Sequence, residues 1–219
     1  MSAEGTNFLY PFIDADERDP AALLVDLASS AEAKGGESAR LRSLTMDQCA
    51  HDLDVIADAM VERFERGGHL FVFGNGGSAT DAAGVVSLFR RPPWGRPLHA
   101  RSLVAEQAVL TALGNDVGFD LVFSRQIIAH ARSGDIALGV STSGNSTNLL
   151  SAFAHGRRRG LLTLGLAGYD GGQMASSADV DHCLVVLADS VHRIQETQAA
   201  LVFELWSGIQ SRLGHPRGE

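Results

Sequence analysis

The chain has 219 residues, of which 45% are apolar and 20% charged, a composition typical of one globular domain with a small appendage. Its formal net charge of −8 argues against direct binding of nucleic acid, which needs a basic surface. No apolar run approaches the roughly 18 residues of a membrane-spanning helix, so we expect no membrane partner.

The N-terminal part of the chain predicts an irregular segment followed by two helices. Residues 1–10 lack the basic start and long apolar run of a secretion signal, so we expect a cytoplasmic protein. Asp19-Pro20 predicts the start of a short helix, and Gly35-Gly36 predicts its end. A longer helix is predicted over residues 38–66. The predicted parts are an N-terminal extension with a short helix (1–37), a main domain (38–213) and a tail (214–219).

From residue 69 onward, predicted strands and helices alternate. Apolar runs predict five strands, over residues 69–73, 98–103, 135–140, 161–166 and 182–187. Helical spacing predicts helices over residues 79–89, 106–113, 121–132, 148–159 and 190–213. A turn is predicted at 115–118 and a loop at 168–172. Apolar strands separated by helices indicate an α/β protein with a doubly wound, buried parallel sheet.

Two loops rich in glycine and serine follow the first and third predicted strands. They are Gly74-Asn75-Gly76-Gly77-Ser78 and Ser141-Thr142-Ser143-Gly144-Asn145-Ser146. Glycines let backbone N–H groups approach an anion, hydroxyls donate hydrogen bonds, and the following helix N-terminus adds partial positive charge. Tight turns with capping serines are the structural alternative, and for Ser146 alone capping is equally plausible. For the second loop as a whole, the pattern favours binding of a phosphorylated small molecule.

Five segments in this order resemble the sugar isomerase (SIS) domain family, and within it the phosphoheptose isomerase branch. They are the two loops above, Gly114-Asn115-Asp116-Val117-Gly118-Phe119, Gly168-Tyr169-Asp170-Gly171-Gly172 and Arg193-Ile194-Gln195-Glu196. The likeness covers about residues 40–213. The same branch includes a non-enzymatic relative, the DnaA initiator-associating protein, which keeps the fold and acts as a scaffold.

The resemblance implies a flavodoxin-like SIS fold with N-terminal helices, a homotetramer, and a phosphorylated sugar as ligand, bound between subunits. Phosphate in family members is held by the second loop, and the first loop lies beside the sugar. The implied binding residues are Asn75, Gly76, Gly77, Ser78, Asn115, Asp116, Ser141, Thr142, Ser143, Ser146 and Gln195.

The chain departs from the isomerase pattern at the implied zinc site. In the family, a His and a Glu four residues apart follow the first loop, and a Gln and a His eight residues apart lie on the last helix. These four bind zinc, and the Glu and His transfer protons between adjacent sugar carbons. In register, the four positions hold Gly84, Leu88, Gln195 and Phe203. Only Gln195 matches, so we expect no zinc and no other cofactor.

Three functions remain open from the sequence. The favoured one is a catalytically inactive relative of phosphoheptose isomerase that senses a sugar phosphate or serves as a scaffold. The second is an active phosphosugar isomerase with a relocated, metal-free site in which His192, three residues before Gln195, acts as base. The third is a protein-interaction scaffold whose binding site is vestigial.

The connector Arg90-Arg91-Pro92-Pro93-Trp94-Gly95-Arg96 allows two interpretations. Three arginines beside an exposed tryptophan would bind an anionic group or a protein partner. A solvated loop with Trp94 packed against the protein is the favoured alternative.

Overall fold

The computed structural model describes residues 20–217, with side chains described from Leu24 onward. Predictions for residues 1–19 and for the last two residues lie outside this part of the chain. The chain divides into two compact units, Met1–Arg40 and Leu41–Glu219, and the second contains the sheet. No helix among the described residues is long and apolar enough to cross a membrane. The predicted boundaries after residues 37 and 213 stay predictions.

Helices and strands alternate through the second unit as the apolar pattern predicts. The helices are α1 (Pro20–Glu65), α2 (Gly77–Arg90), α3 (Gln107–Asp116), α4 (Val122–His130), α5 (Thr147–Arg158), α6 (Gly172–Ser176) and α7 (Val191–Arg212), with a 3₁₀ turn at Phe119–Leu121. The strands are β1 (Leu70–Gly74), β2 (Ala100–Ser102), β3 (Ile136–Val140), β4 (Leu162–Gly168) and β5 (His182–Val186).

The five strands form one parallel sheet in the order β2-β1-β3-β4-β5. The chain leaves β1 toward β2 on one side and returns to β3 on the other, so the winding reverses between β1 and β3. In sheets of this order, ligands bind beyond the carboxyl ends of the strands at that reversal. Both glycine- and serine-rich loops begin there, since they follow β1 and β3.

Two apolar layers cover the sheet. Along β1, Leu70 and Val72 belong to the core that includes α2, α7 and the second-unit part of α1. Phe71 and Phe73 point to the other core, where the Phe73 ring lies 5.3 Å from that of Phe123 in α4. Alternate strand residues face opposite sides, so a strand covered on both sides must be apolar throughout. The flavodoxin-like α/β prediction is therefore confirmed.

The predicted break at Gly35-Gly36 is wrong, because α1 runs without interruption from Pro20 to Glu65. Neither glycine adopts a positive φ, so neither forms the left-handed cap that ends a helix. Each glycine weakens a helix interior by only about 1 kcal/mol relative to alanine. Good helix formers on both sides, such as Ala33 and Glu37, outweigh that penalty.

The turn predicted at residues 115–118 and the loop predicted at residues 168–172 both differ in the structure. The predicted turn starts later in the structure. Asn115 and Asp116 form the last residues of α3, and the turn begins at Val117. Gly118, with φ of 96°, provides the left-handed residue that the turn requires. The loop at 168–172 leads into a short helix, α6, that the sequence pattern did not predict because it spans only five residues.

The two cysteines, Cys49 and Cys183, are free thiols. Burial raises the pKa of Cys49, and the nearby Asp52 carboxylate raises it further. Burial, with a smaller effect of Cys49, raises the pKa of Cys183 to about 12. Both thiols therefore stay protonated at neutral pH, and neither offers the thiolate that a nucleophile or metal ligand needs.

Asp135 fixes the turn that leads into β3. Its carboxylate accepts hydrogen bonds from the backbone N–H groups of His69 and Arg132, each at 2.8 Å, and the residue is 1% exposed. We expect Asp135→Ala to lower the free energy of unfolding by about 3 kcal/mol, because two N–H groups lose their acceptor. Urea unfolding measures the change. Asp47→Ala, at an exposed site on α1, is the control, and an equally small effect at both positions would contradict this prediction.

Candidate functional site

The second loop, residues 141–146, brings three hydroxyl groups together at the start of α5. Ser141 Oγ lies 3.5 Å from both Ser143 Oγ and Ser146 Oγ, and the N–H of Gly144 donates to Ser141 Oγ at 3.1 Å. We call this loop the serine cradle. The first N–H groups of a helix lack partners within the helix and carry partial positive charge. The arrangement therefore suits a phosphate group.

Ser146 occupies the N-cap position of α5, but its side chain makes no capping hydrogen bond. Its φ of −71° and ψ of 113° are those of an N-cap residue, and its carbonyl accepts from Leu149 N–H at 3.0 Å. The structure therefore does not support capping of α5 by the Ser146 hydroxyl. This hydroxyl instead faces Ser141, where it adds a donor to the cradle.

The glycine-rich loop after β4 supports the serine cradle from the side. Gly168 N–H donates to the Thr142 carbonyl at 2.9 Å, and Met174 N–H donates to the Gly144 carbonyl at 2.9 Å. Gln173 N–H donates to the Asn145 side chain at 3.0 Å. The backbone carbonyls of Thr142 and Gly144 and the side chain of Asn145 therefore hold the serine cradle against this neighbouring loop.

Gly144 allows the serine cradle and the loop after β4 to approach each other closely. Its φ is 65°, and a Cβ there would collide with the carbonyl oxygen of Gly171. We expect Gly144→Ala to lower the free energy of unfolding by about 2 kcal/mol or more, because strain and collision act together. Gly36→Ala, where a Cβ meets nothing within 4 Å, should instead be neutral or stabilising. Urea unfolding compares the two, and equal stabilities would contradict the prediction.

The first loop is tied to the serine cradle by a pair of amides. Asn75 and Asn148 exchange side-chain hydrogen bonds of 2.9 and 3.0 Å, and Asn148 lies in the first turn of α5. Gly76 has a φ of 55° and leads into α2, where Ser78 is buried. Gly77 packs against the side chain of Gln195 on α7 so closely that a Cβ would lie 2.8 Å from Gln195 Nε2. The two loops therefore form one contiguous region.

A cavity of about 270 Å³ lies beside this region, between α2 and α7 and above the ends of β3 and β4. Gly84 and Leu88 of α2 and Phe203 of α7 all line it. The resemblance implies a zinc ligand at each of these three positions, and the structure brings the three together at one place. Gln195 Nε2 donates to Asp81 Oδ2 at 2.6 Å and links the two helices.

Comparison with known proteins identifies the family. The SIS domain model matches residues 36–168. A phosphoheptose isomerase of Pelobacter propionicus is 46% identical over 151 residues, covering 67% of this chain and 78% of that relative. The solved phosphoheptose isomerase of Neisseria gonorrhoeae is 33% identical, with a TM-score of 0.78, and covers 84% of this chain and 99% of its own. That of Francisella tularensis is 29% identical at the same TM-score, covering 84% and 98%.

The chain belongs to the SIS domain family. Its homologues include phosphoheptose isomerases, and the resemblance drawn from the five motifs is confirmed.

Three polar residues that are not among the predicted site residues line the cavity, namely Thr80, Asp81 and Gln198. Asp81 and Gln198 both line it, and Gln198 is 1% exposed. A signal for them existed, because Asp81 follows Ser78 by three residues and Gln198 follows Gln195 by three. Residues three apart on a helix share a face. The sequence could thus have placed both beside the predicted site residues.

No predicted site residue lines the cavity itself: eight belong to the two loops and Gln195 packs against Gly77, whereas three others lie at the end of α3 and the start of α7. Asn115 and Asp116 are exposed at the end of α3, where Asn115 Nδ2 donates to Asp116 Oδ1 at 2.8 Å. His192 is exposed in the first turn of α7. Their roles in ligand binding or catalysis stay predictions.

Trp94 of the arginine-rich connector packs onto the SIS domain rather than standing free. Its ring meets that of Trp206 edge-on at 4.4 Å and that of Phe203 at 5.7 Å. The connector is also fixed by Gln210, which accepts from Arg96 N–H at 3.0 Å and donates to the Arg96 carbonyl at 2.9 Å. The packed alternative is therefore confirmed for Trp94.

The residues at the implied zinc positions do not fit that ion. Zinc in proteins takes about four ligands from His, Cys, Asp or Glu. Gly84, Leu88 and Phe203 offer no such atom, and the Gln195 amide is engaged by Asp81. Within residues 24–217, no three His, Cys, Asp or Glu side chains are grouped to hold a metal ion.

Proposed function

We propose that this chain binds a phosphorylated sugar in the serine cradle without isomerising it, and acts as a sensor of that sugar or as a scaffold. The observation that carries the proposal is the cradle itself. Ser141 Oγ lies 3.5 Å from both Ser143 Oγ and Ser146 Oγ at the N-terminus of α5, at the point where the sheet reverses. Its phosphoheptose isomerase relatives support a sugar phosphate as the ligand.

The absence of turnover rests on the chemistry of the cavity. Moving a proton between adjacent carbons needs a base beside the substrate and a group that stabilises the enediolate. Leu88 and Phe203 provide neither, and Asp81 is hydrogen-bonded to Gln195. The alternative site built on His192 gains no support, because this exposed side chain does not line the cavity. We therefore propose that the chain contains no catalytic zinc.

We also propose that the protein is a homotetramer in the cytoplasm and has a protein partner. Large apolar side chains on the surface of the second unit support an assembly. Phe119 and Leu187 are each 60% exposed and Leu44 is 53% exposed. Burying such side chains against another protein surface is favourable. Sedimentation velocity measures the oligomeric state.

Ligand-induced stabilisation tests the proposed function. We expect sedoheptulose 7-phosphate or a simpler ketose phosphate to raise the free energy of unfolding by about 2.7 kcal/mol at 100 times its dissociation constant. The same sugar without phosphate is the matched control and should give no shift, because the cradle would be empty. No shift with any phosphosugar would contradict the proposal and leave the protein-interaction function.

A further inference from the structure

A second cavity, of about 480 Å³, lies at the opposite edge of the sheet from the serine cradle. His69 directly precedes β1 and His99 directly precedes β2, so the cavity lies at the amino ends of these two parallel strands. The cradle instead follows the carboxyl end of β3. A strand of five residues spans roughly 16 Å, so a phosphate group held in one place does not contact the other. We call this second cavity the amino-edge cavity.

Basic side chains dominate the lining of the amino-edge cavity. Five of its lining residues are basic, namely His69, Arg90, His99, Arg101 and His130. No acidic residue lines it within the described part of the chain. The chain as a whole has a formal net charge of −8, so this concentration of basic groups is local and opposite in sign to the rest of the protein.

These five side chains form no hydrogen bond and no ion pair with other side chains or with the backbone among residues 24–217. Their one mutual contact joins His69 and His99, whose ring centroids are 4.9 Å apart. Arg157, by contrast, pairs with Asp181 elsewhere in the domain. Like charges that line one cavity repel one another, and an anion among them would remove that repulsion.

Helix polarity accounts for only two of the five basic groups. Arg90 and His130 are the last residues of α2 and α4, where a cation interacts favourably with the negative end of the helix dipole. His69, His99 and Arg101 lie in or directly before strands, so no helix end stabilises them. A ligand of opposite charge would explain why all five line the same cavity.

Hydrogen bonds fix the backbone that carries the three basic groups of the sheet. His69 N–H donates to Asp135 Oδ1 at 2.8 Å, and the His99 carbonyl accepts from Leu70 N–H at 2.9 Å. Arg101 lies within β2, which pairs with β1. This backbone is therefore in place before a ligand binds, which lowers the entropic cost of binding.

We propose that the amino-edge cavity binds a small molecule that carries a diphosphate group. Arginine stays charged at neutral pH and its planar donors match phosphate oxygens, while histidine donates from a ring N–H even when neutral. One phosphate would occupy only some of the five basic groups, whereas two linked phosphates present enough oxygens for all of them. A volume of about 480 Å³ is typical of small-molecule sites. This second site is distinct from the serine cradle and goes beyond the proposed binding of a sugar phosphate.

Titration calorimetry with inorganic pyrophosphate, at constant ionic strength and without divalent metal ions, tests this site. We expect pyrophosphate to bind at least about tenfold more tightly than orthophosphate, since more charged hydrogen bonds form. The double variant Arg90→Gln, Arg101→Gln should weaken pyrophosphate binding at least about tenfold. The matched control, Arg125→Gln with Arg158→Gln, removes the same charge from exposed positions outside the cavity. It should change the affinity by no more than about twofold, because distant charges are screened.

Two further measurements separate the amino-edge cavity from the cradle. Pyrophosphate should bind the double variant Ser143→Ala, Ser146→Ala as tightly as the unaltered protein, and a phosphosugar should bind the Arg90→Gln, Arg101→Gln variant as tightly as the unaltered protein. Adenosine 5′-diphosphate, measured beside pyrophosphate, distinguishes a diphosphate ester from free diphosphate. Selective loss of either one in the Arg90→Gln, Arg101→Gln variant supports the proposal.

Three results would overturn the diphosphate site. Equal weakening by the two double arginine variants would mean that binding reflects overall charge alone. Loss of pyrophosphate binding in the serine variant would place the anion in the cradle. Binding of neither diphosphate by the unaltered protein would show that the amino-edge cavity holds no such ligand.

Discussion

The purified protein should convert sedoheptulose 7-phosphate at least about 10⁴-fold more slowly, in kcat/KM, than the phosphoheptose isomerase of Neisseria gonorrhoeae assayed in parallel. A positioned general acid or base contributes about 10²–10⁴ to a rate, and the cavity lacks both at the positions that the family uses. Added zinc should leave the rate unchanged, because Gly84, Leu88 and Phe203 cannot ligate it.

A coupled isomerase assay, with and without zinc, measures this rate, and metal analysis of the purified protein accompanies it. Turnover comparable to that of the relative would contradict the proposal. Turnover abolished by His192→Ala would establish the relocated, metal-free site in its place. Stoichiometric zinc would show that the register placing Gly84, Leu88 and Phe203 at the ligand positions is wrong.

Removing hydroxyl groups from the serine cradle should strongly weaken the binding of a phosphosugar. We expect the double variant Ser143→Ala, Ser146→Ala to weaken binding of a phosphosugar by about 100-fold or more, since each hydroxyl would donate to the charged phosphate in the proposed complex. The Ser146 hydroxyl makes no capping bond, so its removal should leave α5 intact. Calorimetry measures the affinity, and circular dichroism checks the fold.

Ser211→Ala is the matched control for this variant, because it removes an exposed hydroxyl from the far end of α7. Its affinity for the phosphosugar should equal that of the unaltered protein. Unchanged affinity in the double variant would mean that the phosphate lies elsewhere and that the cradle is only a structural turn.

The sequence was sufficient to predict the α/β fold and the position of the serine cradle after the third strand. Strands buried on both faces must be apolar, so the runs around Phe71 and Leu138 were visible without a structure. Glycine and serine after the first and third strands likewise predict that both loops lie at the carboxyl edge of the sheet, where ligands of such folds bind, and both loops follow β1 and β3 in the structure.

Other features depend on tertiary structure and could not be predicted. The continuity of α1 through Gly35-Gly36 depends on a balance of small helix preferences rather than on one residue. The pairing of Asn75 with Asn148 joins residues 73 positions apart. The sequence does not show whether the side chains of Leu88 and Phe203 fill the space between α2 and α7 or leave a cavity there, because that depends on their packing. The structure leaves a cavity of about 270 Å³ between the two helices.

A crystal structure of the complex with the phosphosugar that gives the largest thermal shift would locate the ligand in the protein. We predict its phosphate within hydrogen-bond distance of the Ser141, Ser143 and Ser146 hydroxyls, at the N-terminus of α5. We predict no metal ion in the cavity lined by Gly84, Leu88 and Phe203. A metal ion coordinated there, or a phosphate bound away from the cradle, would contradict the claim that this SIS protein retains the ligand site without the isomerase chemistry.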